Sequence, residues 1–257
     1  MFYLFFLVLI ISIKADTEVI NVNTYSAIYN HIQSYIINNT VDTNDILFVT
    51  DIDNVIMTYD TDVGTDQWNN WQFDMIVKYN KTAITNSFTD FIDILSKIYT
   101  YKQHKLCENN IPQIISNIRN MGINTMALTS RGIPLIADTI SELIYHNIYF
   151  NNSFIMDVVI DNAKFIDNIY FTSGKNKGYM LSLLLSRNIM TLPKKIFFVD
   201  DHPKHVHSVV NVFNNTQIDI TGFIYNHELI RVVDFHNSSK IHAINEWFDI
   251  QKILKLY

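Results

Sequence analysis

The feature that most constrains the fold is a short, unbroken apolar segment that recurs along the chain. The first example runs from Ile46 to Val49 and lies between Asp45 and Asp51. A strand in which every consecutive side chain is apolar is covered on both faces, which is typical of parallel sheets. Similar segments follow at 125–128, 154–160, 195–199 and 222–225.

Segments with apolar residues at helical spacing separate these strands. They cover 23–38, 111–121, 134–146, 177–187, 202–213 and 239–256. Strands that alternate with helices predict an α/β fold, in which helices cover both faces of a parallel sheet. Ligands of such folds bind at the carboxyl ends of the strands. The chain of 257 residues is long enough for one such domain, which we predict over 16–257.

One long segment interrupts the alternation. Residues 57–110 lie between the first strand and the helix before the second, and they are rich in aromatic and polar side chains. A helical pattern covers 88–101. Long insertions beside a functional strand end are usually lids. We therefore predict a small, mostly helical cap inserted after the first strand. Trp68 and Trp71 of this cap either pack it onto the core, which we favour, or close over a ligand.

The chain begins with an apolar run from Phe2 to Ile13, which ends at Lys14-Ala15-Asp16. This run is shorter than the roughly 20 residues of a membrane span and is similar to the core of a signal peptide. We interpret 1–15 as a signal peptide or an N-terminal anchor, with a buried strand as the alternative. This interpretation predicts a secreted or membrane-anchored protein, in which only this segment contacts a membrane.

Composition excludes two classes of site. The net charge is −6, so a broad nucleic-acid surface, which needs an excess of Lys and Arg, is not expected. The chain has a single cysteine, Cys107, which excludes an intrachain disulfide and a cysteine zinc site. A small phosphorylated substrate needs only a local positive site and stays compatible with this composition.

Polar residues follow the predicted strands or open the next helix, and together they supply several carboxylates, a hydroxyl group and a lysine. They are Asp51, Asp53, Thr129, Lys177, Asp200 and Asp201. Crowded carboxylates repel one another unless a hard cation neutralises them, and Mg²⁺ prefers such oxygen ligands. The lysine and the hydroxyl group suit a phosphoryl group beside the metal. This combination is typical of phosphoryl transfer through an aspartyl-phosphate.

The ordered set resembles the four motifs of the haloacid dehalogenase-like (HAD) superfamily. The motifs are Asp51-x-Asp53-x-Val55, Thr129, Lys177 and Asp200-Asp201. Segments 66–68 and 171–178 are similar, more narrowly, to HAD-like proteins of unknown function from intracellular bacteria. The resemblance spans 46–225 and implies a HAD-like, Rossmannoid sheet with a cap.

The resemblance also implies a chemistry, namely magnesium-dependent hydrolysis of a small phosphate monoester. Asp51 would be the nucleophile. Asp53 would protonate the leaving oxygen and then deprotonate the hydrolytic water. A phosphotransferase or mutase, or a catalytically silent binding protein of the same superfamily, is the alternative.

The binding roles come from the same resemblance. Mg²⁺ would be held by the carboxylate of Asp51, the backbone carbonyl of Asp53 and the carboxylate of Asp201, with Asp200 assisting. The phosphoryl oxygens would be bound by Thr129, Ser130 and Lys177.

Three assignments stay open at this point. Lys175 is the alternative to Lys177 as the lysine of the third motif. Arg131 is either a phosphate contact or a salt-bridge partner. His205 stands where the superfamily often has Asn or Asp, which puts the surroundings of the metal in question.

The histidines after the fourth strand also invite a metal-site interpretation. The spacing of His202, His205 and His207 does not place all three on one helical face. We interpret them as surface residues.

Overall fold

The core is a mostly parallel, eight-stranded sheet flanked by helices. The computed structural model describes residues 16–81, 84, 85, 87–151, 157–187 and 191–255. The described strands are β1 (Thr17–Val22), β2 (Ile46–Thr50), β3 (Met57–Thr58), β4 (Lys105–Leu106), β5 (Asn124–Thr129), β6 (Val158–Ile160), β7 (Ala163–Ile166), β8 (Ile169–Phe171), β9 (Lys195–Asp200) and β10 (Asp219–Tyr225). The described helices are α1 (Tyr25–Asn39), α2 (Asp66–Tyr79), α3 (Phe88–Tyr101), α4 (Ile111–Asn120), α5 (Ile136–Tyr145), α6 (Lys177–Ser186), α7 (Pro203–Phe213), α8 (Leu229–Asn237) and α9 (Ile241–Ile253).

The strand order of the large sheet is β1-β10-β9-β2-β5-β8-β7-β6. The first six strands in this order, from β1 across to β8, pair in parallel with their neighbours. The last two strands, β7 and β6, add antiparallel pairs at the edge of the sheet. β3 and β4 form a separate antiparallel pair. The predicted α/β class is confirmed, and the arrangement is that of a Rossmann-like fold.

The central strand β2 has an apolar layer on each side. Ile46 and Phe48 pack in one cluster with residues of α1 and α4. Leu47 and Val49 point the opposite way and pack with residues of α6 and α7. Because side chains alternate between the faces of a strand, both faces have to be apolar when both are covered. This is the physical reason for the continuous apolar runs in the sequence.

The register of β2 and β9 aligns their carboxyl ends. Thr50 pairs with Val199, and the backbone N–H of Asp51 donates to the carbonyl of Val199 at 2.8 Å. The residue after β2 therefore lies beside Asp200, the last residue of β9. β5 borders β2 on its other side and ends at Thr129 at the same edge.

The third predicted strand, 154–160, is wrong as a parallel strand. Residues 152–156 lie outside the described residues, and β6, the remainder, is the antiparallel edge of the sheet. The parallel neighbour of β5 is β8. Two-residue turns at 161–162 and 167–168 connect β6, β7 and β8, and all four of these Asp and Asn residues have positive φ. Asp-Asn tolerates this conformation and makes tight hairpins. Continuous apolar runs do not indicate such hairpins, so the sequence patterns did not predict them.

The N-terminal interpretation needs a correction. Among the described residues, no helix combines the length and the apolar character needed to cross a membrane. The proposed signal peptide or anchor at 1–15 lies outside the described residues. The predicted secreted or membrane-anchored location is therefore wrong and is not retained. The first described strand is β1, which pairs with β10 at the edge of the sheet. The sequence patterns did not predict this strand.

Helices of the insertion and of the C-terminal segment form a second packed unit, which we call the helical module. It consists of α2, α3, α8 and α9. Its buried residues share one apolar cluster, in which Trp68 and Phe91 of the insertion lie with Phe235 and Trp247 of the C-terminal segment. The sequence patterns predicted α3 and α9 but missed α2 and α8, and they gave no indication that the two segments pack together.

A polar contact joins the two segments at one edge of the helical module. Glu246 of α9 accepts hydrogen bonds from the backbone N–H groups of Asp62 and Val63, each at 2.9 Å. Lys102, just after α3, forms a salt bridge with Glu246 at 2.8 Å and donates to the carbonyl of Val63. The C-terminal helix therefore holds the loop that leads into α2.

Candidate functional site

Three carboxylates meet where β2 and β9 end. One side-chain oxygen from each of Asp51, Asp200 and Asp201 lies within 4.8 Å of the other two. Asp51 and Asp200 are buried, with 6% and 0% exposure, and Asp201 is half-buried. A set of carboxylate oxygens this close together could hold a hard divalent cation.

Lys177 lies against two of these carboxylates. Its Nζ is 2.7 Å from Oδ1 of Asp51 and 2.7 Å from Oδ2 of Asp200, and only 1% of the residue is exposed. Lysine at the first position of a helix is disfavoured by the helix dipole, so the two carboxylates offset an otherwise unfavourable position. Lys175 forms a partly exposed salt bridge with Asp161 instead. Geometry therefore favours Lys177 over Lys175 as the lysine of this site.

The start of α6 explains why Lys177 can reach the carboxylates. Asn176 caps the helix by accepting a hydrogen bond from the backbone N–H of Tyr179 at 2.9 Å. Gly178 lies so close to α7 that an added Cβ would stand 2.2 Å from the carbonyl oxygen of Ser208. Only glycine permits this approach, which brings the first turn of α6 to the end of β9.

The electrostatics of the group are those of crowded charges. Burial raises the pKa of Asp51 to about 7, and Lys177 opposes this rise while Asp200 and Asp53 add to it. Burial and the charge of Asp200 raise the pKa of Asp201 well above its usual value. Burial alone would lower the pKa of Lys177, but Asp200 and Asp51 raise it above its usual value. The negative charges are therefore incompletely balanced by lysine, which favours binding of a cation or a proton.

The carboxylate of Asp53 does not belong to this group. Arg131 donates to both of its oxygens, from Nε at 2.9 Å and from an Nη at 2.8 Å. The remaining donors of Arg131 go to Thr139 Oγ1 at 2.9 Å and His104 Nε2 at 3.2 Å. Of the two roles predicted for Arg131, a phosphate contact or a salt-bridge partner, the structure shows a buried salt bridge with Asp53.

His104 is buried against this pair and was not recognised in the sequence. A guanidinium group has only donors, so the His104 nitrogen that faces it has to accept. Burial lowers the pKa of His104 well below its usual value, and the charge of Arg131 lowers it further. His104 is therefore neutral, and its ring stacks on Tyr59 with the centroids 3.8 Å apart.

The two hydroxyl residues of the predicted phosphate site lie at the end of β5. Thr129 is fully buried, and its Oγ1 accepts a hydrogen bond from the backbone N–H of Arg131 at 3.1 Å. The carbonyl of Ser130 accepts from the backbone N–H of Gly174 at 2.9 Å, which ties this loop to the segment before α6. The structure therefore places Thr129 and Ser130 at the same edge of the sheet as Asp51.

Two residues beside the carboxylates escaped the sequence analysis. Asn54 is buried in a left-handed conformation, with φ of 56°, and its Nδ2 lies 3.3 Å from Asp201 Oδ2. The same Nδ2 donates to Gln67 Oε1 of α2 at 3.3 Å. Asn54 directly follows Asp51-Ile52-Asp53 in the sequence, and an asparagine at this position could have indicated a turn after β2, because asparagine tolerates positive φ. No local signal places Gln67 here, since it comes from the insertion.

His205 corrects the interpretation of the three histidines. His202 and His207 are exposed, as predicted. His205 is half-buried, and its Nδ1 lies 3.3 Å from Asp200 Oδ1, so it borders the carboxylate group. It occupies the position at which the sequence departs from the pattern of the superfamily that it resembles.

Most of the site is buried in this structure, and Asp201 is half-buried. Thr129 and Lys177 are buried along with Asp51 and Asp200. Two described surface cavities lie elsewhere: one of about 400 Å³ borders α8, and one of about 250 Å³ lies between α2 and α9.

Comparison with known proteins gives a family without an assigned activity. No curated protein matches the chain. Residues 21–256 match the family described as "Protein of unknown function (DUF2608)", which covers every strand and helix of the site. The chain therefore belongs to this family.

Proposed function

We propose that the protein is a HAD-like, magnesium-dependent phosphohydrolase that acts on a phosphate monoester through an aspartyl-phosphate. One observation carries the proposal: Asp51, Asp200 and Asp201 converge within 4.8 Å, and Lys177 contacts two of them. An acidic group at two strand ends together with a buried lysine fits the binding of a metal ion beside a phosphoryl group.

The residues fit a bound Mg²⁺ by the chemistry of their donors, which are all carboxylate oxygens. Asp51, Asp200 and Asp201 would hold the ion. When bound, Mg²⁺ would offset the carboxylate charges and polarise the phosphoryl oxygens. Asn54 fixes one oxygen of Asp201 by its hydrogen bond, which would orient that ligand.

Asp51 would act as the nucleophile. A bond forms between its carboxylate oxygen and phosphorus while the bond from phosphorus to the leaving oxygen breaks, and the leaving oxygen takes up a proton. Water then attacks the aspartyl-phosphate and loses a proton, which releases inorganic phosphate and restores Asp51. Lys177, 2.7 Å from Asp51, would hold a phosphoryl oxygen and offset its growing charge.

Asp53 would carry out both proton transfers. In this structure its oxygens accept two hydrogen bonds from Arg131, which has only donors to offer. This arrangement suits the carboxylate form, which takes a proton from water in the second step. To protonate the leaving oxygen in the first step, Asp53 would have to give up at least one of these bonds.

The helical module would act as the cap of this active site. Its helix α2 reaches the carboxylates through the contact of Gln67 with Asn54. Closure of such a cap excludes water and strengthens the electrostatic interactions inside. The cap would be built from the insertion and the C-terminal helices together, because both share one apolar cluster.

A phosphatase screen over small phosphate esters, with and without Mg²⁺, tests the proposal. The wild type is expected to hydrolyse at least one ester only with Mg²⁺, and Asp51→Asn is expected to lose activity by about 10³-fold or more, as for other nucleophile substitutions. Asp45→Asn is the matched control, because Asp45 precedes β2 at the opposite end and pairs with the exposed Lys194. Full activity in Asp51→Asn, or no turnover of any ester by the wild type, would contradict the proposal.

A further inference from the structure

Building on the proposed phosphohydrolase function, we propose that the first turn of α2 binds the leaving group of the substrate. Gln67 is then the residue that determines specificity, and the substrate is the phosphate ester of a small, uncharged polyol. Gln67 has a buried amide group that reaches the carboxylates through Asn54, and its nitrogen has no hydrogen-bond partner among the described residues.

The orientation of Gln67 follows from its neighbours. Asp201 offers only acceptor oxygens, so the Asn54 atom beside it has to be the donor Nδ2. Thr58 Oγ1, which donates to Asn54 Oδ1 at 3.1 Å, agrees with that orientation. The Gln67 atom that faces Asn54 Nδ2 is therefore the acceptor Oε1. The Nε2 group of Gln67 is left as a donor, one side chain away from Asp201.

This donor has no hydrogen-bond partner among the described residues, although only 1% of Gln67 is exposed. A buried polar group without a partner costs on the order of 1–3 kcal/mol, so a bound group that accepts a hydrogen bond from Gln67 would remove this cost. In the proposed function the phosphoryl group of the substrate lies against Asp51 and Lys177 in the sheet domain. Because α2 belongs to the helical module, an acceptor atom beside Gln67 would belong to the other part of the substrate. That part is the leaving group.

Asp66 supplies the complementary group at the same turn. It is the first residue of α2, and its Oδ2 accepts a hydrogen bond from Asn70 at 2.8 Å. It is half-buried beside Gln67, and burial and the charge of Asp53 raise its pKa to about 6, while Lys177 opposes that rise. Gln67 offers a donor and Asp66 offers an acceptor on neighbouring residues. Adjacent hydroxyl groups satisfy both, because each hydroxyl donates and accepts.

Charge decides between kinds of leaving group. Five carboxyl groups lie at this edge, on Asp51, Asp53, Asp66, Asp200 and Asp201, against the two cationic side chains of Lys177 and Arg131. A carboxylate or a second phosphate on the leaving group would therefore be repelled. A small neutral polyol avoids this repulsion and keeps both hydrogen bonds.

The test compares three esters of similar size: glycerol 1-phosphate, n-propyl phosphate and 3-phosphoglycerate. Wild type is expected to prefer glycerol 1-phosphate over n-propyl phosphate by at least tenfold in kcat/KM, and to reject 3-phosphoglycerate. In Gln67→Met this preference should fall roughly tenfold, as expected for the loss of one hydrogen bond. The matched control is Gln72→Met, which removes another buried glutamine of α2 and should keep the preference.

The outcomes separate the two proposals. Hydrolysis of n-propyl phosphate that disappears in Asp51→Asn supports the proposed function by itself. If such an enzyme shows no preference among the three esters, prefers the acidic one, or loses its preference equally in Gln67→Met and Gln72→Met, the assignment of Gln67 is overturned alone. A wild type that hydrolyses none of the three esters overturns the assignment of Gln67, and it overturns the proposed function as well when the wider screen of phosphate esters also gives no turnover.

Discussion

The strand-end site and the helical module are both buried, but opposite kinds of interaction hold them together. At the strand ends, Asp51, Asp200 and Lys177 form a compact set of charges that has been removed from water. In the helical module, Trp68 and Trp247 lie in an apolar cluster, and charge is confined to its edge. A buried charge is stable only while its partners are present, whereas apolar contacts are lost in proportion to the atoms removed.

This difference has a functional consequence. The desolvation cost of the buried charges at the strand ends is offset by the apolar layers around β2. The interior of the helical module is an apolar cluster that does not carry this cost. The two regions should therefore respond differently to substitution and to metal.

The largest effect is expected for Lys177→Met. This change leaves Asp51 and Asp200 buried without their counter-charge, so we expect a loss of about 3–5 kcal/mol in the free energy of unfolding, together with loss of activity. Urea denaturation without metal measures the first, and added Mg²⁺ should restore part of the lost stability. Lys175→Met is the matched control and should cost at most about 1 kcal/mol, because its salt bridge is partly exposed. Equal costs for the two variants would contradict the proposed difference.

A smaller loss is expected in the helical module for Trp247→Ala. Trp247 is 6% exposed, and its truncation leaves a cavity in the apolar cluster that should cost roughly 3 kcal/mol. Hydrogen exchange should show reduced protection in α2 and α9 before β2 is affected. The neighbouring Phe248, 54% exposed, provides the control, because Phe248→Ala should change stability by no more than about 0.5 kcal/mol. Equal loss of protection in β2 would mean that the module and the sheet unfold as one unit.

The polar contact at the edge of the module should matter less. Glu246→Gln keeps the shape but removes the charge that accepts from Lys102 and the loop amides, for an expected loss of about 1–2 kcal/mol. Thermal denaturation measures this loss. Asp249→Asn on the same helix removes an exposed pair with Lys252 and should have almost no effect. If Asp249→Asn lowers the stability more than Glu246→Gln does, then the hydrogen bonds of Glu246 to the loop before α2 do not stabilise the module as proposed.

The smallest effect is a pH dependence where the two regions meet. Burial lowers the pKa of His104 well below its usual 6.5, so the unfolded chain takes up a proton near that pH while the folded protein does not. The contribution of His104 to stability should therefore fall as pH decreases below about 6.5, whereas Asp51 and Asp66, whose pKa values are raised, contribute in the opposite sense in this pH range. His104→Gln, which can still accept from Arg131 but does not titrate, should lose this part of the decrease. Parallel stability curves for the two proteins between pH 5 and pH 8 would contradict the neutral state of His104.

The sequence predicted the sheet well because burial on both faces leaves a local trace. Continuous apolar runs are present at β2, β5, β9 and β10, because helices cover both faces of the sheet at these strands. β1 left a weak trace because it lies at the edge of the sheet and is only partly buried. The hairpins around β7 were missed because their signal is the turn residues, Asp-Asn, and not the strands.

The sequence by itself determined which residues end neighbouring strands, and this was enough to predict that Asp51, Asp200 and Asp201 lie close together. Parallel strands end at one edge, so position in the chain translates directly into proximity. Only the tertiary structure decided that Arg131 holds Asp53 and that His205 borders Asp200. It also decided that Gln67 reaches the carboxylates and that the C-terminal helices complete the helical module. Those contacts join segments far apart in the chain, and no local periodicity records which distant surface will cover a given apolar face.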